Sequence, residues 1–91
     1  MLKDSDEYVR KAALETLGKM QPAALAQHAA AVVAKLEDSD GDVRWAAVET
    51  LGKLDAASLA QHGAAIVAKL EHSDGYVRRA AVETLGKLDA A

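Results

Sequence analysis

Residues 36–69 read LEDSDGDVRWAAVETLGKLDAASLAQHGAAIVAK, and most of this stretch occurs three times in the chain. Residues 2–35 align with it without gaps at 23 identical positions of 34, and residues 70–91 match 19 of its first 22 positions. A period of this length indicates helical units that bury their apolar sides by stacking on one another. The sequence therefore predicts a single domain, residues 1–91, with repeat units at 2–35 and 36–69 and a partial unit at 70–91.

Each unit contains two amphipathic stretches, of which the first is named here the VR helix. Its apolar residues recur at the spacing of a helix with one buried side. In the middle unit these residues are Val43, Ala46, Ala47, Thr50 with its methyl group, Leu51 and Leu54. Asp40 is placed to accept the free N–H groups of the first turn. We expect VR helices at residues 6–19, 40–53 and 74–87.

The second stretch of each unit, named the QH helix, is expected at residues 22–36 and 56–70. Asp55 is a suitable N-cap for the later of these helices. Pro22 fits the first turn of the earlier one, because an N–H there has no intrahelical partner to lose. One side of the later helix carries Leu59, Gly63, Ile66, Val67 and Leu70. Short connections make neighbouring helices antiparallel, so we expect an all-α protein of five helices.

The composition excludes several kinds of function. Eleven Lys and Arg residues against 14 Asp and Glu residues give a net charge of -3, which provides no basic field for nucleic acid or an anionic membrane. The absence of cysteine excludes disulfides, thiolate nucleophiles and cysteine-bound zinc. Neither a membrane-spanning apolar run nor a signal peptide is recognisable. We therefore expect a soluble, cytoplasmic protein.

The middle of the chain resembles a HEAT repeat. Residues 21–54, QPAALAQHAAAVVAKLEDSDGDVRWAAVETLGKL, contain the turn D-x-D-x-x-V-R followed by A-A-x-x-x-L-G. The resemblance implies a right-handed α–α superhelix with convex QH helices and a concave binding face lined by the VR helices. It also implies a polar ladder between units that involves Asp38 and Arg44, from which the third copy departs at His72. A tetratricopeptide array has the same period, but its W-x-x-L-G-x-x-Y signature is missing here.

The acidic turn before the middle VR helix has the ligand spacing of a calcium loop. Asp38, Asp40, Asp42 and Glu49 occupy the first, third, fifth and twelfth positions of such a loop. Val43 stands where the loop needs glycine, and the other units replace several of the acidic residues. Moreover, a helix would carry Glu49 away from Asp38 along its axis. The turn is therefore interpreted as a helix cap, and no metal site or cofactor is predicted.

Other candidate sites are also interpreted as structural. His28 and His62 occupy the same position of successive units, about 8 to 10 Å apart if their helices pack, which is too far to share zinc. We expect both to be half-buried, and His72 to be solvated in a turn. The serines of the acidic turns have no histidine at the same spacing, so a catalytic nucleophile is not indicated. No enzymatic activity is predicted; the remaining enzyme alternative is a likeness to bilin lyases that use HEAT-like repeats.

The positions at which the copies disagree suggest a binding face. Two variable positions lie three residues apart on one side of each VR helix, next to a recurring glutamate and away from the apolar stripe. They carry every aromatic side chain of the chain, and tyrosine, tryptophan and arginine are enriched at protein-binding hot spots. The predicted protein-binding residues, named together the VR face, are Tyr8, Lys11, Asp42, Trp45, Glu49, Tyr76 and Arg79. The alternative is that Trp45 only covers Ala-rich surface.

The last VR helix repeats the apolar pattern of the middle one, with Val77, Ala81, Val82 and Leu85. An uncovered apolar flank favours association, so we expect a homodimer or an end-to-end assembly. The alternative function is thus an architectural, self-assembling module without an independent ligand. Near-identical copies are also compatible with a designed protein or with a piece of a longer solenoid.

Overall fold

A computed structural model describes Leu2 and residues 4–89 of the chain. The helices are, in chain order, α1 (Glu7–Leu17), α2 (Pro22–Ala26), α3 (Ala29–Ala34), α4 (Gly41–Leu51), α5 (Ala56–Ala60), α6 (Gly63–Ala68) and α7 (Gly75–Asp89). Short 3₁₀ helices, Lys35–Glu37 and Lys69–Glu71, follow α3 and α6. The described residues contain no strand, which confirms the all-α prediction.

The VR helices are α1, α4 and α7, and their acidic caps are present as predicted. Asp40 Oδ1 accepts hydrogen bonds from the N–H groups of Asp42 (2.8 Å) and Val43 (3.2 Å) at the start of α4. Asp6 and Asp74 accept equivalent bonds at α1 and α7. All six residues of the predicted apolar stripe of the middle unit are buried, so the periodicity identified the inner side of α4 correctly.

The QH helices differ from the prediction, because each is divided in two. Instead of five helices the structure has seven α-helices in its described part, with breaks between α2 and α3 and between α5 and α6. At the first break the N–H groups of Gln27 and His28 bond to carbonyls three residues back, at 3.2 and 2.8 Å. These tighter bonds interrupt the α-helical ladder without a helix-breaking residue. The starts are as expected: Pro22 lies in the first turn of α2, and Asp55 caps α5 through the Ser58 N–H.

The helices pack around one core with α4 in the middle. Helix α4 contacts α1 on one side and α7 on the other, and the QH helices α3 and α6 pack against the following VR helices α4 and α7. Leucine, valine, isoleucine and alanine fill this core, without a large aromatic residue. The largest fully buried side chains are Leu14, Leu25, Val32, Leu36, Val43, Leu51, Leu59, Ile66 and Val77.

The last VR helix is less exposed than the sequence suggested. Val77 and Ala81, which were expected on an open apolar flank, are buried in the core because α4 and α6 pack against α7. Leu85 is half-buried, and Val82 is 60% exposed. The open apolar surface of α7 is therefore centred on Val82.

Candidate protein-binding face

An arginine–aspartate pair joins the first two repeat units at the start of their VR helices. Arg10 Nε and Nη2 donate to the two carboxylate oxygens of Asp38, at 2.8 and 3.0 Å. Arg10 Nη1 donates back to the carbonyls of Asp4 and Ser5, which fixes the orientation of the guanidinium. The two side chains are only 13% and 5% exposed. This bidentate pair is a rung of the polar ladder that the family resemblance implied.

The surroundings of Asp38 keep its carboxyl group ionised. Burial raises the pKa of Asp38, whereas the hydrogen bonds from Arg10 and from the Asp40 N–H lower it. The hydrogen bonds have the larger effect together, so the pKa of Asp38 lies below its ordinary value. The hydrogen bond to Asp38 correspondingly raises the pKa of Arg10. Both charges are thus compensated inside the molecule, and the pair is structural.

The second rung uses a different aspartate from the first. Arg44 Nε pairs with Asp74 at 3.0 Å, and not with His72, which occupies the repeat position of Asp38. Arg44 holds the pKa of Asp74 below its ordinary value, with help from the Tyr76 N–H. His72 Nδ1 accepts the N–H of Asp74 at 2.9 Å and so replaces the capping function of the missing carboxylate. The prediction that His72 is solvated is wrong, since its side chain is 9% exposed.

The acidic turn acts as a cap and as half of a rung. Asp38 is occupied by Arg10 and by the Asp40 N–H, and Asp40 by the first N–H groups of α4. Within Leu2 and residues 4–89, no group of three or more His, Cys, Asp and Glu side chains is arranged to hold a metal ion.

The two histidines of the QH helices differ in burial. His28 is exposed and His62 is half-buried, so the expected burial holds only for the second. No helix of the described chain has the length and apolar character to cross a membrane.

A second set of contacts joins the VR helices further along their length. Thr50 Oγ1 donates across the unit boundary to the Leu14 carbonyl at 3.1 Å, and it also lies 2.8 Å from its own Ala46 carbonyl. Lys87 Nζ donates to the Gly52 carbonyl at the end of α4, at 3.2 Å. These contacts were not predicted. Their signal is the T-L-G-K sequence that recurs in all three repeat units.

The glycine of T-L-G-K makes room for the lysine of the next unit. A Cβ atom on Gly18 would lie 3.3 Å from Lys53 Nζ, and one on Gly52 would lie 4.0 Å from Lys87 Nζ. An ammonium group at a helix C-terminus is favourable because the last carbonyls carry partial negative charge. Each lysine therefore stabilises the end of the preceding VR helix.

The VR face is exposed, and its central residues lie close together. Trp45 is 45% exposed, and Tyr8 and Tyr76 are also exposed. Tyr76 Oη donates to Glu49 Oε2 at 3.3 Å, from α7 to α4. Burial, followed by the charge of Glu49, raises the pKa of Tyr76 above its ordinary value. Tyr76 and Glu49 thus form a polar contact across the unit boundary beside Trp45.

Two grooves between successive VR helices run through this face. The groove between α1 and α4 has a volume of about 450 Å³ and is lined by Trp45 and Glu49 together with Lys53. The groove between α4 and α7 has a volume of about 340 Å³ and is lined by Tyr76, with Glu49 and Lys53 on its other wall. Lys53 was not among the predicted site residues. Both grooves are open to solvent, which suits an extended surface contact.

The outer residues of the predicted face are less well connected. Arg79 pairs with Glu83 one turn further along α7, at 3.5 Å and with both side chains exposed. Asp42 is exposed and Lys11 is half-buried. The structure thus joins Glu49 to Tyr76 directly and places Trp45 on the wall of a groove that Glu49 also lines. Tyr8, Lys11 and Asp42 are not among the residues that line these two grooves.

Comparison with known proteins identifies the repeat. The sequence model of one family, described as HEAT repeats, matches residues 1–62 and again residues 29–91. No curated protein matches the chain, and no solved structure matches it. The two matched ranges overlap in the middle unit and together extend over the whole sequence.

Proposed function

Because this chain belongs to the HEAT-repeat family, we propose that it is a non-enzymatic scaffold that binds a protein partner on the VR face. HEAT repeats generally serve as scaffolds for protein–protein interaction. The observation that carries the proposal is the position of Trp45, the one tryptophan of the sequence, which is exposed on the wall of a groove between two VR helices.

The chemistry around Trp45 is suited to protein recognition. An exposed indole offers a large apolar area to a partner together with one N–H donor, and such side chains dominate the energy of many interfaces. Glu49, Lys53 and Tyr76 add polar groups around it. Polar groups at the rim of an aromatic contact fix its orientation and exclude mismatched partners.

Substitution of Trp45 by alanine tests the proposal. The chain is used as bait in an extract of the native source, and each protein that it retains is purified and titrated against the chain and its Trp45→Ala variant. Removal of a central tryptophan costs about 2 kcal/mol or more at a hot spot, which is about thirtyfold in affinity. Gln61→Ala, at an exposed position of a QH segment, is the matched control.

The result has a clear contrary outcome. If partner affinity is the same for the chain and for Trp45→Ala while far-UV circular dichroism shows equal helicity, the VR face is not the binding surface.

Incubation with a bilin tests the enzyme alternative, since covalent attachment or isomerisation of the pigment would change its absorbance. The cytoplasmic location expected from the sequence stays a prediction.

A second candidate function is self-association into a homodimer or an end-to-end assembly. The observation that favours it is the exposure of Val67 and Val82, two branched apolar side chains, with Leu85 half-buried close to Val82 in sequence. Leu85→Glu should dissolve such an assembly, because a charge would have to be buried in the contact. Trp45→Ala should leave it unchanged, and sedimentation velocity distinguishes the two variants.

A further inference from the structure

The guanidinium of Arg78 has the same backbone contacts as that of Arg10 but no aspartate partner among the described side chains. Arg78 occupies the repeat position of Arg10, and its Nη1 donates to the carbonyls of His72 and Ser73 at 2.7 and 3.0 Å. Arg10 makes the same two bonds to Asp4 and Ser5 and offers its remaining edge to Asp38. Among the side chains of residues 4–88, no carboxylate lies at ion-pair distance from Arg78.

The opposite end of the stack carries the matching carboxylate. Asp4 occupies the repeat position of Asp38, and one of its oxygens accepts the Asp6 N–H at 2.9 Å, as Asp38 accepts the Asp40 N–H. Asp4 is exposed. Asp38 shows that a carboxylate in this turn can cap the backbone and bind an arginine of the preceding unit at the same time.

Two further donors of the first unit have matching acceptors in the last VR helix. Thr16 and Lys19 of the first unit are exposed, and their counterparts Thr50 and Lys87 donate to carbonyls of the preceding VR helix. In a continued stack the acceptors would be the carbonyls of Val82 and Gly86. Space is open there, since a Cβ added to Gly86 would meet nothing within 4 Å.

From these correspondences we propose that the chain assembles head to tail, with α1 of one copy packed on α7 of another and Asp4 of the first paired with Arg78 of the second. The inference rests on the self-association proposed above and specifies its geometry. The contact repeats the packing of α4 on α1, so its charged, hydroxyl and lysine groups meet the same partners as inside the chain. Ala12, Thr16 and Val82, each exposed, are covered in it.

Head-to-tail contact has consequences that a symmetric dimer lacks. The two surfaces are different, so each added copy presents a new free surface, and the assembly grows until a ring closes or the concentration limits it. Blocking either surface alone leaves the other intact. Two differently blocked copies should therefore form one contact and stop.

The experiment uses Asp4→Asn and Arg78→Gln in the full chain. Asparagine keeps an oxygen for the Asp6 N–H but cannot form the ion pair. Sedimentation velocity over a concentration series should show growing oligomers for the unchanged chain and at least about thirtyfold weaker association for each variant alone, since truncating one partner of a buried charge pair costs about 2 kcal/mol or more. Gln61→Ala, at an exposed position of a QH segment, is the control and should associate normally.

The decisive measurement is the mixture of the two variants. Asp4→Asn retains Arg78, and Arg78→Gln retains Asp4, so an equimolar mixture should form a discrete 1:1 dimer that neither variant forms alone. Association that persists in both single variants contradicts the head-to-tail geometry and leaves self-association standing. A chain that sediments as a monomer at all concentrations contradicts both. The VR-face proposal is tested separately by Trp45→Ala.

Discussion

At the scale of single residues, Asp38 connects local and long-range structure. Its carboxylate caps the turn before α4 and binds the guanidinium of Arg10 from the preceding unit. The same side chain therefore stabilises the turn in front of α4 and joins the first two repeat units. A substitution there changes both at once.

We expect Asp38→Asn to destabilise the fold by about 3 kcal/mol, because it leaves the largely buried Arg10 guanidinium without a counter-charge. Asp42→Asn is the control, since Asp42 is exposed and caps nothing; its effect should stay within about 0.5 kcal/mol. Urea unfolding at neutral pH, followed by circular dichroism, measures both. Equal midpoints for the two variants would contradict the role assigned to the rung.

The contribution of the rung should depend on pH. The pKa of Asp38 is lowered by folding, so between its folded and unfolded values the unfolded chain binds more protons, and stability rises with pH. The contribution is complete above the unfolded pKa of about 3.9 and is lost as the pH falls towards the lower folded value. The stability difference between the chain and Asp38→Asn should therefore be constant from about pH 5 to 7 and shrink below about pH 4. A difference that stays unchanged in acid would contradict it.

The ladder shows what could and could not be predicted for individual residues. Its existence was implied by the D-x-D-x-x-V-R turn, and Asp38 takes part as expected. The pairing of Arg44 with Asp74 was not predictable from spacing, because an arginine side chain is long enough to reach either of two turn residues. Only the fold shows that His72 faces inwards and binds the Asp74 N–H.

At the scale of elements, the VR helices were predicted well because capping and periodicity agree. Asp40 and the six-residue apolar stripe define the start and the inner side of α4. The QH helices carry the same kind of stripe, but the break at Gln27 and His28 has no sequence signal, since neither residue disrupts a helix in the way of proline or glycine. Of the predicted QH side, Leu59 and Ile66 are buried while Val67 is exposed.

Gly86 lies inside α7, and we expect Gly86→Ala to stabilise the chain by about 0.5 to 1 kcal/mol, since glycine costs about this much in a helix interior. The added methyl group would meet nothing within 4 Å. Gly18→Ala is the matched comparison and should gain less, because its methyl group would lie 3.3 Å from Lys53 Nζ. Thermal and urea unfolding measure both; a destabilised Gly86→Ala would contradict the helical extent of α7.

At the scale of the whole molecule, the middle unit differs from the others because α4 packs between α1 and α7. Leu51 is 1% exposed, whereas Leu17 and Leu85 at the same repeat position are half-buried. We expect Leu51→Ala to cost about 2 to 5 kcal/mol and Leu17→Ala clearly less, because the cost grows with the cavity left behind. Urea unfolding of both variants tests this. Equal losses would show that the units contribute evenly.

The fold of the whole molecule was predictable because the copies are nearly identical and one unit cannot bury its apolar side alone. The candidate site was predictable only in outline. Differences between copies indicate which positions of α1, α4 and α7 share a face, but the Tyr76–Glu49 contact and the two grooves depend on how far neighbouring helices are apart. Sequence periodicity within one helix does not contain that distance.

The boundary between α1 and α4 contains an arginine and a threonine contact, and the boundary between α4 and α7 contains an arginine and a lysine contact. A slide of one VR helix along its neighbour by a single turn would break both contacts of that boundary together, so these contacts fix the position of each VR helix along the next. Residues 36–69 supply Asp38 and Thr50 to the contacts with the unit before, and Arg44 and Gly52 to the contacts with the unit after. An inserted duplicate of these 34 residues should therefore add one repeat unit to the stack without any adjustment of its surroundings.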